Sequence, residues 1–229
     1  MTIHRFFVDP ADVVGDRFAL PGPIERQVRS VLRMGDSDRL VLLDGGGTEL
    51  ECRLEGDACV VVERRPATGE PRHRLTVGQA LLKGDGLEQV VQHGTEIGVA
   101  RFRLVLTERC VARELSPRRL ERLRTIAREA AEQSERGVVP AVEAPVRLAD
   151  ALAPGSVLLY ERHAGARLGG LPPPSEVLIG PEGGFSPAEV EAAARAGMTI
   201  AGLGPRILRS ETVAVAAAAV ILSRAGDFA

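Results

Sequence analysis

Leu178-Ile179-Gly180-Pro181-Glu182-Gly183-Gly184-Phe185-Ser186-Pro187-Ala188-Glu189 is the stretch whose reading decides the fold. The apolar run Glu176 to Ile179 reads as a short strand, a glycine-rich loop follows, and a helix then begins. That helix start is well specified. Ser186 is an N-cap residue type, Pro187 suits the first helical position, and Glu189 completes a capping box. Gly180, Gly183 and Gly184 let the backbone bend sharply and approach a ligand. A strand feeding a helix through such a loop belongs to an α/β sheet, where ligands bind at the carboxyl ends of the strands. The loop lacks the Gly-Lys-Ser/Thr of a P-loop and the GxGxxG dinucleotide fingerprint. Taken alone it reads equally as a ligand site or as a structural turn.

A second stretch repeats the arrangement. The apolar run Thr199 to Leu203 enters Gly204-Pro205-Arg206-Ile207-Leu208-Arg209-Ser210-Glu211-Thr212, and another helix follows. Two loops of this kind can share one pocket, flanked by Arg209 and Glu211. The alternative reading of Arg206 and Arg209 is a pair of salt-bridging residues that support the loop.

Working outward, Leu75 to Leu82, Phe102 to Leu106 and Val157 to Tyr160 read as further strands. Leu87 to Ile97 reads as a helix stopped by Gly98. Ser116-Pro117 opens a long helix with Leu120, Leu123, Ala127 and Ala130 on one face. An alanine-rich helix runs from about Glu211 to Arg224. Near-continuous apolar strands suit a parallel sheet covered on both faces. These patterns predict an unknotted, doubly wound α/β domain over residues 71–229.

Residues 1–70 differ in texture. Arg39 to Asp44, Glu49 to Leu54 and Ala58 to Val62 are short strands with a turn at Asp44-Gly45-Gly46-Gly47, a spacing that predicts a small β-barrel. A short helix is expected around Val28 to Leu32. The polar stretch 63–74, with its two prolines, reads as the linker.

Of 229 residues, 45% are hydrophobic and 26% charged, which is ordinary for a globular chain. A net charge of −2 excludes a chain that is basic as a whole. Arginines nevertheless cluster at 113–128 and 64–74, and a local basic face can bind phosphate. The competing reading is a solvated helix face balanced by Glu121, Glu129 and Glu132. Cys52, Cys59 and Cys110 fit no zinc spacing and, being odd in number, no disulfide framework; they read as reduced, buried thiols. The start of the chain lacks the apolar core of a signal peptide. The longest apolar run, Thr212 to Leu222, falls short of the roughly 20 residues of a spanning helix. A cytoplasmic protein with no membrane partner is expected.

The two loop segments resemble the 16S rRNA (uracil-N3)-methyltransferases, the ribosomal RNA small subunit methyltransferase E family of the SPOUT class. Other segments agree in order and spacing. They are Val31-Leu32-Arg33-Met34-Gly35, Asp44-Gly45, Lys83-Gly84-Asp85, Thr95-Glu96-Ile97-Gly98-Val99, Thr107-Glu108-Arg109-Cys110, and Glu132-Gln133-Ser134 before Val139-Pro140. The chain departs from the family at His93, often lysine there, and at Val213-Ala214-Val215.

The resemblance implies a fold: a PUA-like β-barrel over 1–70 that binds RNA, and a SPOUT domain over 71–229 tied in a deep trefoil knot. It implies S-adenosylmethionine as cofactor, held by Gly180, Pro181, Glu182, Gly183, Gly184, Leu203, Gly204, Arg206, Ile207 and Leu208, with a third loop after Tyr160-Glu161. It implies 16S rRNA or the small ribosomal subunit as substrate, a homodimer, and chemistry without a metal. Arg209 is the candidate electrostatic stabiliser, Glu211 a candidate base, and Glu182 a candidate partner for the cofactor's amino group. Arg5, Arg29, Arg33, Arg118 and Arg122 are the candidate phosphate contacts. The alternatives are a SPOUT methyltransferase for another RNA site and a noncatalytic RNA-binding assembly factor. A Rossmann oxidoreductase would show a glycine fingerprint after its first strand, and none is convincing here.

Overall fold

The computed structural model describes residues 3–161 and 163–228. The chain divides into two compact units: one up to Glu70 together with Ala131–Val139, the other Pro71–Ala130 with Pro140 onward.

The first unit holds β1 (His4–Phe7), β2 (Arg17–Ala19), α1 (Gly22–Arg26), β3 (Arg39–Leu43), β4 (Thr48–Glu55) and β5 (Ala58–Pro66); α1 continues as one π-helical turn over Gln27–Val31. The strands form one sheet in the order β1-β3-β4-β5-β2, with β1 parallel to β3 and the other pairs antiparallel. Alternate residues point inward, so Phe6, Leu40, Leu42, Leu50, Leu54 and Cys59 build one core. Asp44 shapes the β3–β4 turn by accepting the backbone N–H groups of Gly46 and Thr48, each at 2.8 Å. β1 and β2 are not legible in the sequence, because three or four residues carry too little periodicity. The expected linker is shorter than its polarity suggests. Glu63 to Pro66 continue β5 opposite β4, with Arg64 and Arg65 turned to carboxylates.

Residues 131–139 join this unit for a packing reason. Ala131 and Val139 sit against Phe7, Val41 and Leu43. Glu132 accepts the Phe7 N–H at 2.9 Å, and the buried Arg136 grips Glu70 at 2.8 Å. Sequence distance hides these contacts.

The second unit holds β6 (Thr76–Ala80), α2 (Gly86–Ile97), β7 (Arg101–Leu106), most of α3 (Pro117–Gln133), β8 (Ala141–Arg147), α4 (Leu148–Ala151), β9 (Val157–Leu159), β10 (Glu176–Ile179), α5 (Pro187–Arg195), β11 (Thr199–Ala201) and α6 (Ser210–Arg224). The sheet is wholly parallel in the order β11-β9-β10-β6-β7-β8. Leu158 and Leu178 meet Phe185, Ala193 and Met198 on one face. α6 packs on α2, β6 and β10, and its buried Ala214, Ala217 and Ala218 allow a close approach. α2 stops as expected: Gly98 turns left-handed at φ 112° and donates to Gly94 and Thr95 carbonyls. β8 is a strand that the sequence does not announce. It is an edge strand carrying Pro145, and its register with β7 slips between Arg103 and Val105, which accommodates the missing N–H. The sheet reverses its direction of growth between β6 and β10. At such a switch point the loops at the strand ends diverge and leave a crevice.

Candidate active site

A cleft of about 1030 Å³ opens at the carboxyl ends of β6, β9 and β10 and beneath the start of α6. Two expected segments line it, Gly180 to Phe185 and Leu203-Gly204 with Arg206 to Glu211, together with Leu159 to Glu161, which lead into the expected third loop. All the residues named above as cofactor-holding candidates, and both catalytic candidates, Arg209 and Glu211, are therefore brought together. A fourth segment, Lys83 to Gly86 with Gln89, also lines the cleft. Lys83-Gly84-Asp85 stands out in the sequence as a motif, yet its residues alone do not assign it to the site. The available signal is its position just after a strand.

The loop after β10 is fixed at both ends. Phe185, 1% exposed, anchors it in the core. Ser186 caps α5: its hydroxyl accepts from Glu189 N at 3.3 Å, and Glu189 accepts from Ser186 N at 2.8 Å. The second Glu189 oxygen accepts from Glu108 N at 2.7 Å, and Arg109 donates to Gly183 O at 3.0 Å, so the turn after β7 braces the loop. Gly184 closes it at φ 66°, donating to Pro181 O at 2.9 Å. A Cβ at Gly184 would also come within 3.0 Å of Glu161 Oε1.

The loop after β11 is stitched to the segment that follows β9. Gly202 donates to Ala166 O and accepts from Leu168 N, each at 2.9 Å, and Arg167 donates to Gly204 O at 3.2 Å. Glu182 accepts the Lys83 N–H at 3.0 Å, which ties the fourth segment to the glycine loop. Arg209 is the N-cap of α6, exposed and extended at φ −66°, ψ 150°, and it provides no side-chain cap. Ile207 is 85% exposed and stands at the rim rather than packed in the cleft. Leu203 and Leu208 are half-buried and offer the apolar wall instead.

The cleft suits a small ligand with both apolar and charged parts: its volume is at the top of the usual range, its lining sets Phe185, Leu203 and Leu208 beside Glu161, Glu182 and Arg209, glycines expose backbone groups, and a Cβ added at Gly204 would meet nothing within 4 Å.

The expected phosphate contacts separate into two sets. Arg5 is largely buried, pairing with Glu49 at 2.7 Å and Glu135 at 3.1 Å. Arg29 donates to Met34 O at 3.0 Å and to Gly56 O. Both therefore hold the first unit together. Arg33, Arg118 and Arg122 are exposed. Arg118 and Arg122 lie one helical turn apart on α3, while Arg119 between them pairs with Glu88 at 2.9 Å.

The sequence profile of the RNA methyltransferase domain family matches residues 69–222. A ribosomal RNA small subunit methyltransferase E of Bacillus subtilis is 32% identical over 229 residues, covering 89% of each chain. The chain belongs to the ribosomal RNA small subunit methyltransferase E family. Solved structures agree over nearly the whole length. The Neisseria gonorrhoeae enzyme of that name, crystallised with S-adenosyl methionine, superposes with a TM-score of 0.87 at 30% identity, covering 97% of this chain and 98% of that one. A Legionella pneumophila methyltransferase structure with bound cofactor gives 0.85 at 26% identity, covering 97% and 98%. Family membership makes the chain an RNA methyltransferase.

Proposed function

We propose that this chain transfers a methyl group from S-adenosylmethionine to N3 of one uridine of 16S rRNA. The observation that carries the reading is the convergence of the loops after β6, β9, β10 and β11 on one cleft, in a chain of this family. When bound, S-adenosylmethionine supplies a methyl group activated by its sulfonium. Backbone groups of Gly180 to Gly184 and Leu203-Gly204 hold the cofactor, and Leu203 and Leu208 give it apolar walls. The residues must also make the acceptor reactive, because N3 of uracil carries a proton. Arg209 stabilises the anion that develops on N3 and its flanking carbonyls, and Glu211 takes the proton. Glu182, held by Lys83 N, stands ready for the cofactor's amino group.

The first unit is a PUA-like, RNA-gripping module, and Arg33, Arg118 and Arg122 meet phosphate. The target uridine is extruded to react, as in other base-modifying enzymes. The enzyme works in the cytoplasm as a homodimer. The chain between β9 and β11 is tied in a trefoil knot; the support is the placement of β10 between β9 and β6 and the stitching of Ala166 to Leu168 against Gly202.

Labelled S-adenosylmethionine with unmodified small ribosomal subunits, followed by mapping of the methyl to its nucleotide and atom, tests the reading. Label on N3 of one uridine supports it; a different atom or RNA overturns the substrate assignment. The cleft itself is tested by Gly204→Trp. Filling the open space should weaken cofactor binding at least about 100-fold, roughly 2.7 kcal/mol, with the melting temperature unchanged; undiminished binding would place the cofactor elsewhere. The double variant Arg118→Ala/Arg122→Ala should flatten the salt dependence of RNA binding by about one unit of slope for each phosphate that is no longer neutralised. An unchanged slope removes α3 from the RNA surface.

A further inference from the structure

Gln79 is unusual for its position. It lies on β6, the strand at the switch point of the parallel sheet, and is 0% exposed. Val77, Ala80, Leu81 and Leu82 around it are the apolar residues such a strand favours. A carboxamide here is unfavourable unless matched, and this one is only half matched. Its Nε2 donates to Ser210 Oγ at 2.9 Å and to Ala80 O at 3.1 Å, while Oε1 is buried with no partner among the described residues. Ser210 in turn donates its hydroxyl hydrogen to Gly180 O at 2.6 Å.

The polarity of this chain of hydrogen bonds is determined by its members. Gly180 O can only accept, so it takes the single hydrogen of Ser210. The hydroxyl oxygen must then accept, which places the Gln79 NH2 against it. The relay links three segments remote in sequence: β6, the first residue of α6, and the loop after β10. Ser210 and Gly180 both line the cleft. α6 has no side-chain cap, so this relay is what ties its first turn to the glycine loop.

We infer that Gln79 and Ser210 are positioning residues that hold the two ligand loops in register, and that Gln79 occupies the core at the expense of stability for this purpose. The inference rests on the cofactor lying in this cleft. A purely structural glutamine would be satisfied at both ends of its amide and would stabilise the fold. Gln79 leaves an acceptor unmatched while its amide nitrogen reaches the hydroxyl that joins the two loops.

Four proteins test it beside the wild type: Ser210→Ala, Ser210→Thr, Gln79→Met and Gly204→Trp. Each is measured for cofactor dissociation constant, turnover on small subunits, and melting temperature. Ser210→Ala should weaken cofactor binding about tenfold, the size of one lost hydrogen bond. Ser210→Thr, which keeps the hydroxyl, should stay within about twofold of wild type on the same scale. Gln79→Met should weaken binding in the same direction while melting at or above the wild-type temperature, because the unmatched carbonyl is gone. The proposal fails if Ser210→Ala binds and turns over as wild type, if Ser210→Thr is as impaired as Ser210→Ala, or if Gln79→Met melts lower with unchanged affinity. Failure of the underlying cleft assignment shows separately, as undiminished binding by Gly204→Trp.

Discussion

Arg209→Ala is expected to lower methyl transfer about 100- to 1000-fold, the range seen when one preorganised donor to a developing anion is removed, while cofactor affinity changes by less than about threefold. The geometry separates the two effects. Arg209 contributes its carbonyl to the first turn of α6, accepting from Val213 N at 2.9 Å, and alanine keeps that bond. Its exposed side chain lines the cleft and has no ion-pair partner among the described residues. Stability should therefore shift by no more than about 0.5 kcal/mol, as for most surface substitutions. Arg209→Lys should fall between wild type and alanine, since charge is kept but the planar fork is gone. Single-turnover methylation with saturating cofactor, beside a direct binding titration, distinguishes the cases. Normal turnover by Arg209→Ala would remove it from the chemistry. An equal loss in binding and turnover would make it a cofactor ligand instead.

Glu49→Ala is expected to destabilise the first unit by about 3 kcal/mol, the low end for breaking a buried ion pair. Glu49 is 3% exposed and takes hydrogen bonds from Arg5, at 2.7 Å, and Arg65. Removing it leaves the guanidinium of Arg5 half-matched in the interior, with the exposed Glu135 as its remaining ion-pair partner among the described residues. For a unit of this size the melting transition should drop by upwards of about 10 °C. Glu49 also makes the effect depend on pH. Burial alone would raise its carboxyl, but hydrogen bonds and charges from Arg5 and Arg65 outweigh that and hold it below the ordinary value. A carboxyl whose folded pKa is depressed contributes stability that is complete above the ordinary carboxylate value of the unfolded chain and disappears as pH falls through the folded one. The gap between wild type and Glu49→Gln should thus be full at neutral pH and close in acid. Calorimetry at several pH values measures it; a constant gap, or coincident melting at neutral pH, would show that the pair contributes nothing. The same geometry explains why Arg5, placed by sequence among the phosphate contacts, belongs to the interior.

The loop motifs are legible because their chemistry is local. A capping box needs only Ser186 and Glu189 three residues apart, and a left-handed helix end needs only Gly98. The strands β3, β6, β7 and β10 are legible because continuous apolar runs suffice to define a buried strand. β8 is not, since Pro145 and its alternating polar neighbours read as loop until pairing with β7 reveals the bulge in β8 that tolerates them. The end of α3 shows the same limit. Its periodicity is continuous, so nothing in it announces that Ala131 packs against Phe7, Val41 and Leu43.

What the amino-acid sequence determined by itself was the α/β class, the two glycine loops with their helix starts, the family to which those motifs belong, and the chemistry available to Arg209 and Glu211. These depend on residue types at short spacing. Tertiary structure alone decided the strand order that places β10 between β9 and β6, the convergence of Lys83 to Gly86 on the same cleft, the withdrawal of Arg5 and Arg29 into internal bonds, and the Gln79–Ser210–Gly180 relay. Most of these join groups tens of residues or more apart. Such pairings depend on where packing brings the backbone, and a single chain's local pattern does not encode that placement in readable form.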